Sequence, residues 1–361
     1  MTSRERAMAV LNYEDYDALP VVHFGYWGET VAKWVGEGHI TPETAADESK
    51  TSSMLGFDFG WSGNYFCGAH MHPLFEGKVL EELEDGSRHE LNQFGVVVKT
   101  KPGINSIPSE VSHLLHDRES WEKDFKHRFQ YFSGRTPDGA FLRENNDDIP
   151  RGLHIGSLFG TLRDVIGVVG ISYLYADDEE LYAEIINDNA NMTYECVKAM
   201  LEQGARFDYA HFWEDICYKN GPLVSPGVFE QYVGPHYKRI TDLCARHGIH
   251  IISLDCDGMI DSLVPIWLEN GVNTMFPIEV GTWEASIKPW REAYGRNLRG
   301  VGGMNKLVFA YDYAAVDREI ERLKPLIELG GYIPCPDHRI PPDAIWENVQ
   351  YYCDRMHTLF G

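Results

Sequence analysis

Short apolar runs alternate with longer amphipathic stretches along most of the 361-residue chain. Eight runs have the length and the β-branched or aromatic content of buried strands; they are residues 19–26, 54–59, 152–157, 207–212, 249–254, 272–277, 298–303 and 331–335. Helical spacing of apolar residues marks Ser3–Asn12, which Ser3 would cap, and residues 178–203, 226–247, 258–270, 282–294 and 311–329. This alternation predicts an α/β fold, a closed (β/α)8 TIM-like barrel.

An open, doubly wound sheet is the alternative architecture, but it favours a glycine-rich phosphate turn early in the chain, and no Gly-x-Gly-x-x-Gly occurs. The pattern predicts one barrel domain over residues 1–361, with an insertion at 64–150 between the second and third strands. Within the insertion, residues 78–84 and 94–100 are typical of a hairpin turning at Asp85-Gly86. We expect a loop at 102–108 and a helix at 113–132, and we expect the insertion to serve as a lid or as a partner surface.

Composition narrows the functional classes. The formal net charge of -23 disfavours nucleic acid and anionic membranes as partners. No apolar run approaches the ~18 residues of a membrane-spanning helix, and the charged first residues lack the apolar segment of a signal peptide. The seven scattered cysteines indicate reduced thiols. Together these features predict a cytoplasmic enzyme or binding protein.

Candidate chemistry follows two strands 80 residues apart, at Asp255-Cys256-Asp257-Gly258 and at Cys335-Pro336-Asp337-His338. Barrel enzymes place their reactive groups at the carboxyl ends of strands, and two carboxylates at i and i+2 on a strand point to the same side. We therefore expect Asp255, Asp257, His338 and Cys335 to form a cluster suited to a metal ion or to acid–base work.

Other polar side chains follow other predicted strands. Glu214 is a candidate base or fourth ligand after the fourth strand, where His211 lies close by in sequence, and Glu279 follows the sixth. His23 lies within the first strand. Each of these also has a structural interpretation, such as a salt bridge or a buried histidine, which the sequence leaves open.

The motifs, taken in order, resemble those of the uroporphyrinogen decarboxylase superfamily. They are Phe24-Gly25-Tyr26-Trp27-Gly28-Glu29-Thr30, Glu214-Asp215 before Gly221-Pro222-Leu223, Asp255-Cys256-Asp257-Gly258, Gly302-Gly303-Met304-Asn305-Lys306, and Gly330-Gly331-Tyr332-Ile333-Pro334-Cys335-Pro336-Asp337-His338. The superfamily has a distorted (β/α)8 barrel and includes decarboxylases and corrinoid-dependent methyltransferases. The resemblance implies that fold and one of those two activities.

Two departures from the family pattern favour the methyltransferase branch. The decarboxylases carry arginines after the first strand, but residues 22–27 of this chain contain none, and arginine is the preferred partner of a carboxylate. Zinc-dependent thiol methyltransferases of the superfamily carry a His-x-Cys pair and a distal Cys. In this chain the resemblance places Asp255 and Asp257 at the positions of the pair and His338 at the position of the distal Cys. Oxygen and imidazole ligands suit a metal that polarises an ether oxygen rather than a thiol.

The resemblance thus implies an O-demethylase component that moves a methyl group from a methoxylated aromatic, of guaiacol or vanillate type, to the cob(I)alamin of a separate corrinoid protein. We expect zinc, or a general acid such as His338 or a protonated member of the Asp255/Asp257 pair, to activate the ether oxygen, with Glu214 as a further catalytic candidate. His23, His211 and Glu279 are expected to bind the substrate. The arene is expected among Phe24, Tyr26, Trp27, Tyr65, Phe159, Phe212 and Trp213.

Two other functions remain open at the level of sequence. A metal-independent decarboxylase or lyase acting on a small carboxylic acid would need Arg151, Arg163 or Lys306 against the substrate carboxylate. A non-catalytic binding or scaffold barrel that accompanies a corrinoid system would need neither these cations nor the candidate catalytic residues. The sequence also leaves open whether the chain forms a homodimer.

Overall fold

Parallel strands form a nearly closed barrel in the computed structural model, which describes residues 1–62, 64–101 and 108–361. Over those residues the strands are β1 (Val22–His23), β2 (Phe59–Gly60), β3 (Tyr65–Phe66), β4 (Lys78–Glu82), β5 (Arg88–Leu91), β6 (Val96–Thr100), β7 (Ser109–His113), β8 (Gly152–Gly156), β9 (Tyr209–Trp213), β10 (Cys217–Tyr218), β11 (Gly221–Pro222), β12 (Ile251–Asp255), β13 (Thr274–Phe276), β14 (Arg299–Met304) and β15 (Tyr332–Pro336).

The sheet runs in the order β15-β14-β13-β12-β9-β8-β3, and β1 pairs with β2. Within the described residues, the second barrel position is divided: β2 pairs with β1, whereas β3 pairs with β8. Tyr26 bridges Ile340 in parallel just beyond β15 and so brings the last strand back to the first. The predicted (β/α)8 barrel is therefore confirmed, with eight positions around the circle if β2 and β3 count as one.

Helices cover the outside of the barrel, as the amphipathic stretches predicted. In the described residues they are α1 (Ser3–Asn12), α2 (Gly28–Gly36), α3 (Pro42–Ala45), α4 (Glu48–Leu55), α5 (Arg118–Ser120), α6 (Gly160–Ile166), α7 (Val168–Asp177), α8 (Glu179–Glu202), α9 (Pro226–Tyr232), α10 (Gly234–Arg246), α11 (Val264–Glu269), α12 (Val280–Trp283), α13 (Ile287–Tyr294), α14 (Tyr313–Ile327) and α15 (Trp346–Phe360). Shorter π and 3-10 turns occupy Trp121–Phe125, Lys126–Phe129, Ala140–Leu142, Gly295–Asn297 and Lys306–Ala310.

The insertion contains a four-stranded antiparallel sheet in the order β4-β5-β6-β7. The predicted two-stranded hairpin is therefore wrong: Arg88–Leu91, read as part of the turn, forms a strand between the other two. The predicted helix at 113–132 begins only at Arg118, and it continues as π and 3-10 turns. Residues 102–107 of the predicted loop lie outside the described residues.

Two element ends also differ from prediction. Thr2, and not Ser3, caps α1: its hydroxyl accepts from the Glu5 backbone N–H, and the Glu5 side chain accepts from the Thr2 N–H. Residues 54 and 55 belong to α4, so the second strand begins later than its apolar run. All seven cysteines are free and buried. Among the described residues, no helix combines the length and the apolar character needed to cross a bilayer.

Candidate active site at the carboxyl ends of the strands

Three aspartates and a glutamate meet at the mouth of the barrel. Asp255 ends β12, and Asp257 follows it; Asp215 comes from the turn after β9, and Glu279 from the turn after β13. Burial, and then the negative charges of Asp257 and Asp215, raise the pKa of Asp255 well above its ordinary value. Burial is also the main cause of the raised pKa of Asp215 and of Glu279. Asp255, Asp215 and Glu279 therefore bind a proton more tightly than the same carboxyls would in water.

His338 lies against this cluster and between two aromatic rings. Its Nε2 is 3.4 Å from Asp257 Oδ2. Its ring stacks on Trp27, with centroids 5.6 Å apart, and meets Phe24 edge-on at 5.4 Å. Asp257 Oδ1 is buried and has no hydrogen-bond partner among the described residues. The predicted association of Asp257, His338, Phe24 and Trp27 is thus present in the structure, in a geometry suited to proton transfer beside a flat ligand.

A tight turn places Asp257 beside Glu279. Gly258 has φ +84, and a Cβ there would come within 2.6 Å of the Cys217 carbonyl oxygen, so only glycine fits. The Gly258 N–H donates to Glu279 Oε2 at 2.6 Å, and the Thr282 hydroxyl donates to Oε1 at 2.9 Å. Glu279, predicted to bind substrate, is therefore engaged in holding the turn that carries Asp257.

Glu214 does not join the cluster. Its carboxylate is fully buried and accepts from the Ser157 hydroxyl and from the backbone N–H groups of residues 158, 159 and 160, each at 2.8–2.9 Å. It also accepts from the Tyr237 hydroxyl. Gly160 permits this approach, because a Cβ there would be 2.0 Å from the Glu214 carbonyl oxygen. In the structure the Glu214 carboxylate anchors the start of α6, and the catalytic role predicted for it stays a prediction.

His23 and Tyr26, predicted to bind substrate, also lie outside the mouth. His23 Nδ1 accepts from the Gly25 N–H at 2.8 Å, and its Nε2 is 2.8 Å from the Ser52 hydroxyl. The Tyr26 hydroxyl bonds to the same hydroxyl at 3.0 Å. Both side chains therefore join β1 to α4. His23 is almost fully buried, and burial lowers its pKa to about 3.

The neutral form of His23 makes the fold sensitive to acid. In the unfolded chain the histidine pKa is about 6.5, so below that pH the unfolded state binds a proton at His23 and the folded state does not. Stability therefore falls as the pH falls. We expect His23 to cost about 1.4 kcal/mol of stability between pH 7.5 and pH 5.5. In urea unfolding at the two pH values, His23→Gln should lose that much less free energy than wild type. His116→Gln, an exposed site, is the control, and equal losses in all three proteins would contradict the assignment.

His211 lies inside the barrel below the mouth. Its Nδ1 is 3.2 Å from the Ser253 hydroxyl, to which Trp61 Nε1 also donates at 3.2 Å. Burial lowers the pKa of His211 to about 3. A neutral imidazole at this depth supports the floor of the site, and direct contact with substrate remains a prediction.

Cys335 is separated from the other three predicted metal ligands, Asp255, Asp257 and His338. Cys335 is completely buried, and its pKa is raised well above the ordinary thiol value by burial and by Asp337. The nearby Cys335 thiol is one of the groups that raise the pKa of Tyr352 on α15. Since α15 covers the outside of the barrel, Cys335 lies on the outer side of β15. Among the described residues, no group of three or more His, Cys, Asp and Glu side chains is placed to hold a metal ion. The arrangement therefore does not fit the predicted zinc site, and we derive no step through a metal.

Sequence reasoning missed roles for several charged side chains. Arg163 Nη2 lies 2.7 Å from Asp164 and 3.5 Å from Asp215, so its charge is shared by two carboxylates. Asp337 is completely buried and accepts from the Val280 and Gly281 N–H groups at 2.9 Å. Lys306 pairs with Asp337 at 3.3 Å. The position of Asp215 directly after Glu214, just after a predicted strand, was the sequence signal that could have added it to the mouth cluster.

Of the other predicted aromatic residues, Trp213 lines a cavity together with Phe66 and Asp164. Phe212 packs edge-on against Tyr237 on the outer side of β9, and Phe159 packs against Phe229. Alternation along the strand explains the difference, because residues 211 and 213 face one side while 212 and 214 face the other.

Comparison with known proteins gives the following matches. Residues 142–359 match the profile of the family described as uroporphyrinogen decarboxylase (URO-D). A methyltransferase from Methanosarcina mazei has a similar structure (TM-score 0.61, 16% identity, covering 99% of this chain and 98% of that one). Weaker likenesses are a putative vitamin-B12 independent methionine synthase from Listeria monocytogenes (TM-score 0.42, 16% identity, 96% and 100% covered) and a B12-independent methionine synthase from Shewanella sp. W3-18-1 (TM-score 0.48, 10% identity, 94% and 98% covered). No curated protein sequence matches this chain at a significant level.

Proposed function

This chain belongs to the uroporphyrinogen decarboxylase family, and on that premise we propose that it is a methyltransferase that demethylates a methoxylated aromatic compound and passes the methyl group to the corrinoid of a separate protein. The observation that carries the proposal is the position of His338. Its ring lies between Phe24 and Trp27, and its Nε2 is 3.4 Å from Asp257. A flat substrate and a proton donor are brought together there. The likeness to a methyltransferase at 16% identity supports the fold alone.

Ether cleavage requires that the oxygen of the leaving phenolate be stabilised, because a phenolate leaves poorly. When the methyl–oxygen bond breaks, the methyl group goes to the corrinoid, which supplies the nucleophile, and the oxygen keeps the bonding electrons. We propose that His338 donates a proton to that oxygen, so that the product is a neutral phenol. Asp257 orients the imidazole, and burial raises the pKa of Asp255, which makes Asp255 a second candidate proton donor.

The alternative, a decarboxylase or lyase, is less well supported because its three candidate cations are engaged elsewhere. Arg151 precedes β8, at the opposite end of the barrel, and pairs with Asp147 at 2.8 Å. Lys306 pairs with the buried Asp337, and the charge of Arg163 is shared by Asp164 and Asp215. A substrate carboxylate at the mouth would face the acidic cluster without a free cation among these three.

The proposal is tested by incubating the purified protein with guaiacol, cob(I)alamin and a corrinoid-binding partner, and by following methylcobalamin spectroscopically and the catechol product by chromatography. We expect equal amounts of both products, and no CO2 from carboxylated analogues. Release of CO2 without methylcobalamin would instead establish the lyase. Activity that is lost with a chelator and restored by zinc would transfer the activating role from His338 to a metal. The corrinoid partner and a homodimer stay predictions.

A further inference from the structure

A second opening adjoins the mouth between β3, β8 and α6. This cavity has a volume of about 540 Å³, within the usual range for small-molecule sites. Its walls are mostly apolar and include Phe66, Met71, Phe94, His154, Asp164 and Trp213. Phe94 and Met71 belong to the insertion, so the insertion forms part of the wall of this cavity. We call it the arene cavity below.

The titratable groups of the arene cavity are two histidines and one carboxyl, and the hydroxyls of Ser157 and Thr161 complete its polar lining. Burial lowers the pKa of His154 to about 4 and also lowers that of His70. His154 Nδ1 accepts from the Gly156 N–H at 3.1 Å, so the ring proton lies on Nε2 and remains available as a donor. Burial raises the pKa of Asp164 to about 6, so above that pH it is an anion and an acceptor.

No cation lining the cavity is available for an anionic ligand among the residues described there. Arg163 is held by Asp164 at 2.7 Å and by Asp215 at 3.5 Å. Arg135 lies near His70, but it does not line the cavity and donates to the carbonyl oxygens of residues 70, 128 and 130. Glu110 adds a further negative charge felt by Asp164. The walls therefore favour a neutral ligand.

A row of rings links the arene cavity to His338. Phe24 meets His338 at 5.4 Å and Phe276 at 4.5 Å, and Phe276 meets His211 at 5.8 Å. His211 lies 6.0 Å from His154, which meets Phe66 at 4.7 Å, all between ring centroids. The row crosses the mouth from β1 to β3. Successive ring contacts thus connect the wall of the cavity to the proton donor.

We infer that the arene cavity selects an uncharged phenolic methyl ether, with the substrate hydroxyl bonded to His154 or Asp164, and that it disfavours ethers that carry a ring carboxylate. This inference rests on the proposed methyl transfer, whose site it specifies. A carboxylate placed there would lose its hydration, meet Asp164 and find no free cation. Guaiacol is the matching probe, and vanillate differs from it by one carboxylate.

Binding tested without the corrinoid separates this inference from the proposed function. Isothermal titration calorimetry of the full chain at pH 7.5 should show guaiacol binding at least tenfold more tightly than vanillate. Equal or tighter binding of vanillate would overturn the inference and would leave methyl transfer untouched. Conversely, guaiacol binding without methyl transfer would refute the proposed function and leave the selectivity standing.

Two variants locate the ligand. Phe66→Ala removes an exposed wall ring (59% exposed) and should weaken guaiacol binding about fivefold. Phe141→Ala is the matched control, since it removes an equally exposed ring (70%) of the same insertion that does not line the cavity. Equal affinities of both variants and wild type would place guaiacol elsewhere and overturn the inference.

A positive charge added to the wall should remove the preference for guaiacol over vanillate. Thr161 lines the arene cavity on the first turn of α6, and Thr161→Lys should raise vanillate affinity relative to guaiacol at least tenfold. Thr358→Lys, on the exposed last turn of α15, makes the same change far from the cavity and should leave the ratio unchanged. A ratio that moves equally in both variants would contradict selection by this wall.

Discussion

His338→Gln is expected to lower the rate constant for methyl transfer by about 10²–10⁴-fold, the contribution usually made by a positioned general acid. Glutamine keeps the size and polarity of the side chain but cannot give up a proton, so the phenolate must leave unprotonated. His338 is partly exposed (22% for its side chain) and lies after β15, so the fold should not change. The measurement is single-turnover formation of methylcobalamin from guaiacol.

The matched control is His116→Gln, at an exposed histidine of the insertion that should retain full activity. Asp257→Asn should give an intermediate loss in kcat with little change in KM, because it removes the partner that orients His338 and leaves the arene wall intact. If His338→Gln kept wild-type kcat, the proton donor would have to be another group. If it changed KM alone, His338 would be a binding residue.

Glu214→Gln is expected to cost about 3–5 kcal/mol of folding free energy, as the loss of a buried charge from its donors usually does. The carboxylate accepts from five donors, and an amide in either orientation turns its NH2 group toward some of them. Because four of these donors, residues 157–160, lie in the turn before α6 and at its first residue, the start of that helix should loosen first. Urea unfolding measures the cost.

Glu230→Gln changes an exposed glutamate on α9 and should cost less than about 0.5 kcal/mol. Tyr237→Phe removes one of the five donors and should cost about 1 kcal/mol, which tests the network without risking the fold. A Glu214→Gln protein as stable as wild type would show that the carboxylate has little structural importance. Its activity would then decide whether Glu214 acts at the mouth after all.

Local sequence patterns predicted the barrel because the buried face of each strand and helix appears as an apolar pattern within that element. The runs at 152–157, 207–212 and 331–335 correspond closely to β8, β9 and β15, and 178–203 corresponds to α8. The insertion was predicted less well, since β4 and β7 are exposed edge strands whose polar residues carry no clear alternation. Arg88–Leu91 became a strand only through pairing on both sides.

The sequence by itself determined the (β/α)8 alternation and brought Asp255, Asp257 and His338 to strand ends, where parallel topology makes them neighbours. Alternation along β9 would also have turned Glu214 outward, given that His211 faces in. Only the tertiary structure decided which groups are free to act. Hydrogen bonds from distant segments engage Glu214, Glu279 and Asp337, and burial raises the pKa of Cys335. The charge of Arg163 is shared between Asp164 on its own helix and Asp215 after β9. These outcomes depend on contacts between residues far apart in the chain, which no local pattern records.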